Sequence, residues 1–248
     1  MSFILLTITV VFRLIEASPI FGGNLVEKQN SHLHQTICSV QRSRSHICGC
    51  ILIQRKWALT AAHCFPDKQF NISDYSVVVG KTDLLALGED DHDFMSRIVI
   101  HGAFNSGNQA NDIALLKLWS MYNIIPLPLA TSFQDIKSEK CIVIGYGSQS
   151  YFTKSTLKLY QGHTSLISKE ECLDNIGYIM LPPFGICCTK NEGTNPCSGD
   201  SGGPLICSGK VIGIVSHGPL CHLYGMATVY TNLLEYDNWI NDVILIYN

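Results

Sequence analysis

Residues 197–204 read Cys-Ser-Gly-Asp-Ser-Gly-Gly-Pro, so that one serine, Ser201, stands between an aspartate and two glycines. Glycine has no Cβ, and the chain around Ser201 can therefore turn sharply and expose bare backbone N–H groups. A hydroxyl on such a turn suits a nucleophile that attacks a carbonyl carbon, because the N–H groups can receive the developing negative charge. Taken alone, the stretch also fits a structural glycine-rich turn, and the rest of the chain has to decide.

Two upstream motifs decide in favour of chemistry. Residues 60–64 read Thr-Ala-Ala-His-Cys, and residues 111–116 read Asn-Asp-Ile-Ala-Leu-Leu. The three motifs carry His63, Asp112 and Ser201 in that order. In this order and context they resemble the chymotrypsin/trypsin-like serine protease family.

The resemblance assigns a role to each residue. Ser201 would be the nucleophile, and it needs a base because a neutral hydroxyl attacks poorly. His63 would take the Ser201 proton and deliver it to the leaving amine. Asp112 would lie buried behind His63 and fix its tautomer, with a hydrogen bond from Ser216. The backbone N–H groups of Gly199 and Ser201 would form the oxyanion hole.

Activation in this family requires a new N-terminal ammonium that pairs with the aspartate before the nucleophile, and the candidates here are Ile20 and Asp200. Family zymogens usually carry Arg or Lys before this isoleucine, whereas this chain has Ser18-Pro19. We hypothesise that a proline-specific dipeptidyl peptidase removes Ser18-Pro19 in one step, since a dipeptide ending in proline is what such an enzyme removes.

The substrate pocket implied by the resemblance is lined by Asn195, Ser216, Gly218 and Thr228. Asn195 supplies no negative charge at the pocket floor, so cleavage after Arg or Lys is not expected. Thr228 stands where open-pocket members have glycine, and its β-branched side chain narrows the pocket. We expect a small or medium uncharged P1 residue, with an aromatic P1 residue as the second choice. Pro196 and His217 depart from the usual family pattern.

The N-terminus carries an apolar run over residues 3–12, which is too short for a membrane span of about twenty residues. It suits a secretory signal peptide over residues 1–17 with a cut after Ala17, followed by a short pro-dipeptide at 18–19. The protease domain would then occupy residues 20–248, and the protein would be secreted.

The composition limits the partners. The formal net charge is −3 and charged residues make up 15% of the 248-residue chain, which argues against nucleic acid as a partner. The hydrophobic fraction of 46% is sufficient for a substantial core. We expect protein or peptide substrates, protein protease inhibitors as further partners, no membrane partner, no cofactor and a monomer.

Eleven cysteines in a secreted chain imply disulfides. The resemblance implies four pairs, namely Cys48–Cys64, Cys141–Cys207, Cys172–Cys187 and Cys197–Cys221. Cys38 and Cys50 flank a hairpin-like turn, so a cross-strand bridge between them is possible. Cys188 could replace Cys187, and the odd cysteine could be a free buried thiol or form an intermolecular disulfide. Cys48-Gly49-Cys50 is a weak zinc signal, because no second ligand pair stands at zinc spacing.

Short β-branched runs separated by Gly, Asn and Ser dominate residues 34–231 and predict an all-β protein. The predicted strands are Ile51–Ile53, Tyr75–Val79, Arg97–Ile100, Ile113–Leu118, Cys141–Gly145, Leu157–His163, Pro204–Cys207, Val211–Ser216 and Ala227–Thr231. Apolar residues at helical spacing from Leu234 to Ile244 predict a C-terminal α-helix. The resemblance implies two six-stranded antiparallel β-barrels, with a boundary near residues 127–133.

Two surface features complete the expectations. Asn71-Ile72-Ser73 is a candidate N-glycosylation site in a secreted chain. Residues 89–93, Glu-Asp-Asp-His-Asp, lie where trypsins bind calcium, but Lys81 stands where an acidic ligand would be expected. We therefore interpret residues 89–93 as a solvated acidic loop and expect no metal. The rival to a serine endopeptidase is a non-catalytic homologue that uses the scaffold for binding.

Overall fold

The computed structural model describes Ile20 and residues 22–27, 32–65, 70–148, 155–176, 181–189, 194–218 and 226–248. The predicted signal peptide over 1–17 and the dipeptide at 18–19 lie outside these residues. A short strand, β1 (Asn24–Leu25), and a short helix, α1 (His32–Thr36), come first. Within the described ranges, no helix has the length and apolar character needed to cross a bilayer.

The first half of the chain forms a closed six-stranded barrel in which every pairing is antiparallel. Its strands are β2 (Ile37–Arg42), β3 (Ser45–Gln54), β4 (Trp57–Thr60), β5 (Tyr75–Val79), β6 (Asp93–Ile100) and β7 (Ala114–Leu118). The order around the barrel is β2-β3-β4-β7-β6-β5, and β5 closes it on β2. Ser43 and Arg44 connect β2 to β3 with φ values of 49° and 63°, the left-handed pair that a tight hairpin turn requires.

The second half forms another closed antiparallel ring of six strands. They are β8 (Lys140–Gly145), β9 (Tyr160–Leu166), β10 (Gly185–Thr189), β11 (Pro204–Cys207), β12 (Lys210–His217) and β13 (Thr228–Asn232). The order is β9-β10-β13-β12-β11-β8, and pairing of β8 with β9 closes the ring. β1 pairs with the first two residues of β9. A helix, α2 (Lys169–Ile176), lies between β9 and β10 in the chain.

The C-terminal helix, α3 (Asp237–Tyr247), buries Ile240, Val243 and Ile244 on one face. These side chains belong to the same apolar cluster as Trp57 of β4 and Ile214 of β12, so α3 packs against both halves of the chain. The predicted fold class, two six-stranded barrels with a C-terminal helix, is confirmed.

The structure contains elements that the sequence pattern did not predict. Strands β1, β2, β4 and β10 and helices α1 and α2 are absent from the predicted set. β4 is only four residues long and entirely buried, so it shows no alternation of apolar and polar residues. The predicted strand over Leu157–His163 begins three residues too early, because Leu157 has a φ of 59° that a strand does not accept.

The described disulfides each link residues within one half of the chain. The structure pairs Cys48 with Cys64, Cys141 with Cys207, Cys172 with Cys187, and also Cys38 with Cys50. Cys38 and Cys50 stand directly opposite each other on β2 and β3. Cys188 is a free thiol buried in the second barrel. Cys197 is disulfide-bonded, and its predicted partner, Cys221, lies outside the described residues.

Candidate active site

His63 and Asp112 meet at the end of the first barrel. His63 lies on a single 3-10 turn, Ala62–Cys64, that follows β4, and the Cys48–Cys64 disulfide ties this turn to β3. Asp112 stands two residues before β7 and is fully buried. Its Oδ2 lies 2.7 Å from His63 Nδ1, and its Oδ1 accepts a hydrogen bond of 2.9 Å from the His63 backbone N–H. The carboxylate therefore holds both the ring and the backbone of His63.

Ser216 completes the surroundings of Asp112 from the second barrel. Its hydroxyl donates to Asp112 Oδ2 at 2.6 Å. Burial raises the pKa of the Asp112 carboxyl, but the hydrogen bonds from His63 and Ser216 outweigh burial and lower the pKa overall. An ionised Asp112 accepts a hydrogen bond from the N–H of His63 Nδ1, so the other ring nitrogen, Nε2, is left as the basic atom.

The glycine-rich turn brings Ser201 beside the segment that carries His63. Gly49 N–H of β3 donates to the Ser201 carbonyl at 2.8 Å, and Gly202 N–H donates to the Val215 carbonyl of β12 at 2.7 Å. Gly202 has a φ of 76°, and a Cβ on it would lie 2.2 Å from Thr60 Oγ1, so this close approach needs glycine. In the part of the chain that the structure describes, the Ser201 hydroxyl forms no hydrogen bond with His63.

The backbone N–H groups of Gly199 and Ser201 are the predicted oxyanion hole. Neither of them donates a hydrogen bond to any described residue, so both are available to a ligand. Gly199 has a φ of 95°, a left-handed backbone conformation that residues with a Cβ rarely adopt. This conformation sets the directions of its N–H and its carbonyl.

His46, which the sequence motifs did not single out, holds the other side of this peptide. Its Nε2 donates to the Gly199 carbonyl at 2.9 Å, and its Nδ1 lies 2.8 Å from the Ser39 hydroxyl. Burial lowers the pKa of His46 to about 4, so the ring is neutral near pH 7. A carbonyl only accepts, so Nε2 carries the proton and Ser39 donates to Nδ1. No sequence signal could have found this contact, because His46 and Gly199 are 153 residues apart.

Asp200, the predicted partner of the activating ammonium, is fully buried. Its carboxylate accepts hydrogen bonds from the N–H groups of Cys197 and Gly147, at 2.9 and 2.8 Å. Burial raises the pKa of Asp200 to about 7 in spite of these two donors. Among the described residues no cation pairs with it. Ile20 is also fully buried, in the apolar cluster of the second barrel.

The structure brings two of the predicted pocket residues together. Gly218 follows β12 and Thr228 opens β13, and a Cβ on Gly218 would lie 3.3 Å from Thr228 Cα. The two walls are therefore close to each other at this point. Asn195 is half-buried ahead of Cys197 and forms no hydrogen bond to Gly218 or Thr228 within the described part of the chain.

The acidic loop is bound by cations of the protein itself. Arg44 forms two hydrogen bonds to Glu89, at 2.6 and 2.7 Å, and Lys81 pairs with Asp91 at 2.6 Å. Elsewhere on the surface, Asn71 is exposed, and its Oδ1 accepts a hydrogen bond from the Ser73 N–H at 3.1 Å.

Known proteins are similar to this chain over nearly all of its length. Two are mouse (Mus musculus) proteins, kallikrein 1-related peptidase b16 and b11, with 32% and 31% identity. The aligned regions cover 99% of both chains for b16 and 98% of both for b11. Renal glandular kallikrein of Mastomys natalensis is 31% identical over 98% of each chain. The model of the family described as Trypsin matches residues 21–240. This match, together with the two barrels and the geometry around His63, Asp112 and Ser201, shows that the chain belongs to the trypsin family of serine proteases.

Proposed function

We propose that the protein is a secreted serine endopeptidase that cleaves peptide bonds through an acyl-enzyme on Ser201. The observation that carries the proposal is the buried, ionised Asp112 bonded to His63, next to a glycine turn with two unbonded N–H groups. These are the components that nucleophilic attack on an amide requires.

The mechanism follows from the positions of the groups. His63 Nε2 removes the Ser201 proton as the hydroxyl oxygen attacks the substrate carbonyl carbon. The resulting oxyanion is bound by the Gly199 and Ser201 N–H groups, each contributing on the order of 3 kcal/mol to the transition state. His63 then protonates the leaving amine, which departs and leaves the acyl group on Ser201. In the second half of the reaction His63 Nε2 removes a proton from water as the water oxygen attacks the acyl carbon, and it returns that proton to Ser201 Oγ as the acid is released. Asp112 stabilises the imidazolium that forms in both halves.

For the substrate we propose a small or medium uncharged P1 residue. Asn195 at the predicted pocket floor offers no carboxylate to Arg or Lys. The closeness of Gly218 to Thr228 supports a narrowed pocket, because the Thr228 side chain occupies space that glycine would leave open. An elastase-like preference is therefore favoured over an aromatic one.

For activation we propose that removal of Ser18-Pro19 frees the Ile20 amine, which then pairs with Asp200. A buried carboxylate with two N–H donors and no described cation supports this, since an ammonium would compensate its charge. N-terminal sequencing of the secreted, fully active protein tests the idea, and active protein that begins at Ser18 would contradict it. We also propose N-glycosylation at the exposed Asn71, and mass measurement before and after glycosidase treatment tests it.

The experiment that separates an enzyme from a binding homologue is covalent labelling with a fluorophosphonate. Wild-type protein that begins at Ile20 should react rapidly and stoichiometrically, because the reagent needs both an activated serine and an oxyanion hole. Ser201→Ala should not react, while its circular dichroism stays that of the wild type. Absence of labelling in folded protein that begins at Ile20 would favour the non-catalytic homologue.

A further inference from the structure

The residue that precedes Asp112 has an unusual backbone conformation. Asn111 has a φ of 55°, in the left-handed region that residues with a Cβ rarely adopt. Asparagine enters this region more readily than most side chains, but such a conformation persists only where the surrounding structure holds it. Because Asn111 sets the direction in which the chain runs into Asp112, the groups that hold Asn111 also orient the Asp112 carboxylate.

Hydrogen bonds fix both ends of the Asn111 side chain. Its Nδ2 donates to the Ala103 carbonyl at 3.0 Å, and its Oδ1 accepts from the Tyr236 hydroxyl at 3.0 Å. The Asn111 carbonyl accepts a hydrogen bond of 2.9 Å from the Ile113 N–H. Ala103 and Ile113 are close to Asn111 in the chain, whereas Tyr236 is 125 residues away. The contact from Tyr236 therefore ties Asn111 to a distant part of the fold.

Tyr236 is itself fixed in place. It follows the 3-10 turn Leu233–Glu235, stands directly before α3, and is exposed to only 3%. Its carbonyl accepts the Ile240 N–H at 2.9 Å, and its ring meets the His101 ring edge-on with 5.5 Å between the centroids. Burial, followed by the charge of Asp112, raises the pKa of the Tyr236 hydroxyl to about 12, so the hydroxyl keeps the proton that it donates.

A second hydroxyl from the same part of the chain reaches Asp112 directly. Thr231 of β13 donates to the Asp112 carbonyl at 2.8 Å, and both residues are buried. The Asp112 carboxylate bonds to His63 and Ser216. Thr231 and Tyr236 thus hold the backbone from which this carboxylate projects.

We propose that Tyr236 and Thr231 are positioning residues for catalysis, which orient the Asp112 carboxylate toward His63 by holding the backbone of residues 111 and 112. This inference rests on the proposed function, because it gives the two hydroxyls a part in the same reaction. A catalytic group has to stay within about 0.5 Å of its productive position, and a displacement of about 1 Å can cost about 100-fold in rate. The segment that joins β13 to α3 then supports catalysis without touching the reacting atoms.

The first test compares Tyr236→Phe with the wild type, in protein that begins at Ile20. Phenylalanine keeps the ring against His101 and removes only the hydroxyl. We expect kcat per fluorophosphonate-labelled site to fall about three- to tenfold, the equivalent of one hydrogen bond. KM should stay within about twofold of the wild type, because Asp112 acts on the charge that develops on His63 during the reaction.

A double-mutant cycle with Asn111→Gly tests whether Tyr236 acts through Asn111. Glycine accepts the left-handed backbone and removes the amide that bonds to Tyr236. Asn111→Gly alone should lower kcat by a similar factor, and adding Tyr236→Phe should lower it by less than about twofold more, since both changes remove one shared interaction. Losses that multiply would show independent effects and would overturn the proposal.

Thr231→Val tests the second hydroxyl, and Thr36→Val is its matched control. Thr36 is also a buried threonine whose hydroxyl donates to a backbone carbonyl, that of Leu33, at 2.7 Å. Both variants should lower the temperature of thermal unfolding, because each loses a buried hydrogen bond. Only Thr231→Val should also lower kcat per labelled site, again about three- to tenfold.

The remaining outcomes separate this inference from the proposed function. Active wild type with unchanged kcat in Tyr236→Phe and Thr231→Val would limit both hydroxyls to a structural role and overturn the inference alone. An equal loss of kcat in Thr36→Val would overturn it as well, because any lost buried hydroxyl would then have the same effect. Folded wild type that begins at Ile20 and neither labels nor hydrolyses peptides would contradict the proposed function, and with it any part for these residues in catalysis.

Discussion

His46→Phe is the substitution that tests most directly how the oxyanion hole is held. His46 Nε2 donates to the Gly199 carbonyl at 2.9 Å, and the Gly199 N–H is one of the two proposed oxyanion donors. Phenylalanine fills the same space without a donor, so the Gly199 peptide loses the bond that orients it. The Ser39 hydroxyl loses its partner as well.

The magnitude has two parts. Two buried polar groups without partners cost about 1–3 kcal/mol each, so the free energy of unfolding should fall by about 2–6 kcal/mol. Losing an oxyanion donor outright costs about 10²–10³ in kcat, and a donor that is present but poorly oriented should cost about 10–100-fold. KM should change little, because the lost interaction matters mainly after the carbonyl oxygen becomes charged.

The assay is a measurement of kcat and KM at about pH 8, where His46 is neutral, with active enzyme counted by fluorophosphonate. His46→Gln is the control, since an amide N–H can still donate to the Gly199 carbonyl, and it should recover most of the loss. A His46→Phe protein whose kcat per active site stays within about twofold of the wild type would refute the reasoning.

Three further predictions concern the pocket, the activation site and the free thiol. Thr228→Gly should raise kcat/KM for aromatic P1 substrates at least about tenfold over small ones, since it removes a β-branched wall, and an unchanged profile in a P1 library would contradict the narrowed pocket. In the chain that retains residues before Ile20, burial raises the pKa of Asp200 to about 7, so the folded state keeps a proton that the unfolded state releases above about pH 4. Between about pH 4 and pH 7, the free energy of unfolding of the wild type, measured in denaturant melts, should therefore fall by up to about 4 kcal/mol relative to that of Asp200→Asn. Parallel dependences of the two free energies on pH would contradict this. Burial also raises the pKa of the Cys188 thiol, which should react with a disulfide reagent only after unfolding, and Cys188→Ala should not react at all; rapid labelling of folded protein would be the contrary result.

Through the family that they resemble, local motifs were enough to predict the fold, and the structure brings the predicted His63 and Asp112 together. The turn around Ser201 and the residues beside His63 and Asp112 are short segments whose chemistry is visible in consecutive residues. β4 was not predicted because Trp-Ala-Leu-Thr shows neither an alternation of apolar and polar residues nor a run of β-branched apolar residues. Lys81 was expected to exclude calcium, but its ion pair with Asp91 depends on how two loops fold together.

His46 marks the limit of such reasoning. Its role depends on how β3 packs against the second barrel, which places His46 beside the Gly199 carbonyl. A histidine in a hairpin has no sequence pattern that predicts such a contact. Cys38 and Cys50 show the opposite case. Once β2 and β3 are paired, their positions in the register leave them directly across from each other.

The division of the site between the two barrels has a mechanical consequence. Each barrel closes its own hydrogen-bond ladder, whereas the seam between them includes the Ser216 bond to Asp112 at 2.6 Å and the Gly49 bond to the Ser201 carbonyl at 2.8 Å. A separation of about one ångström at the seam would break both bonds and leave every strand intact. Catalytic turnover should therefore be more sensitive than the strands to a small separation of the two barrels. In mild denaturant, turnover should be lost while the strand content is still native. A ligand that contacts both barrels and holds them together should preserve turnover under the same conditions.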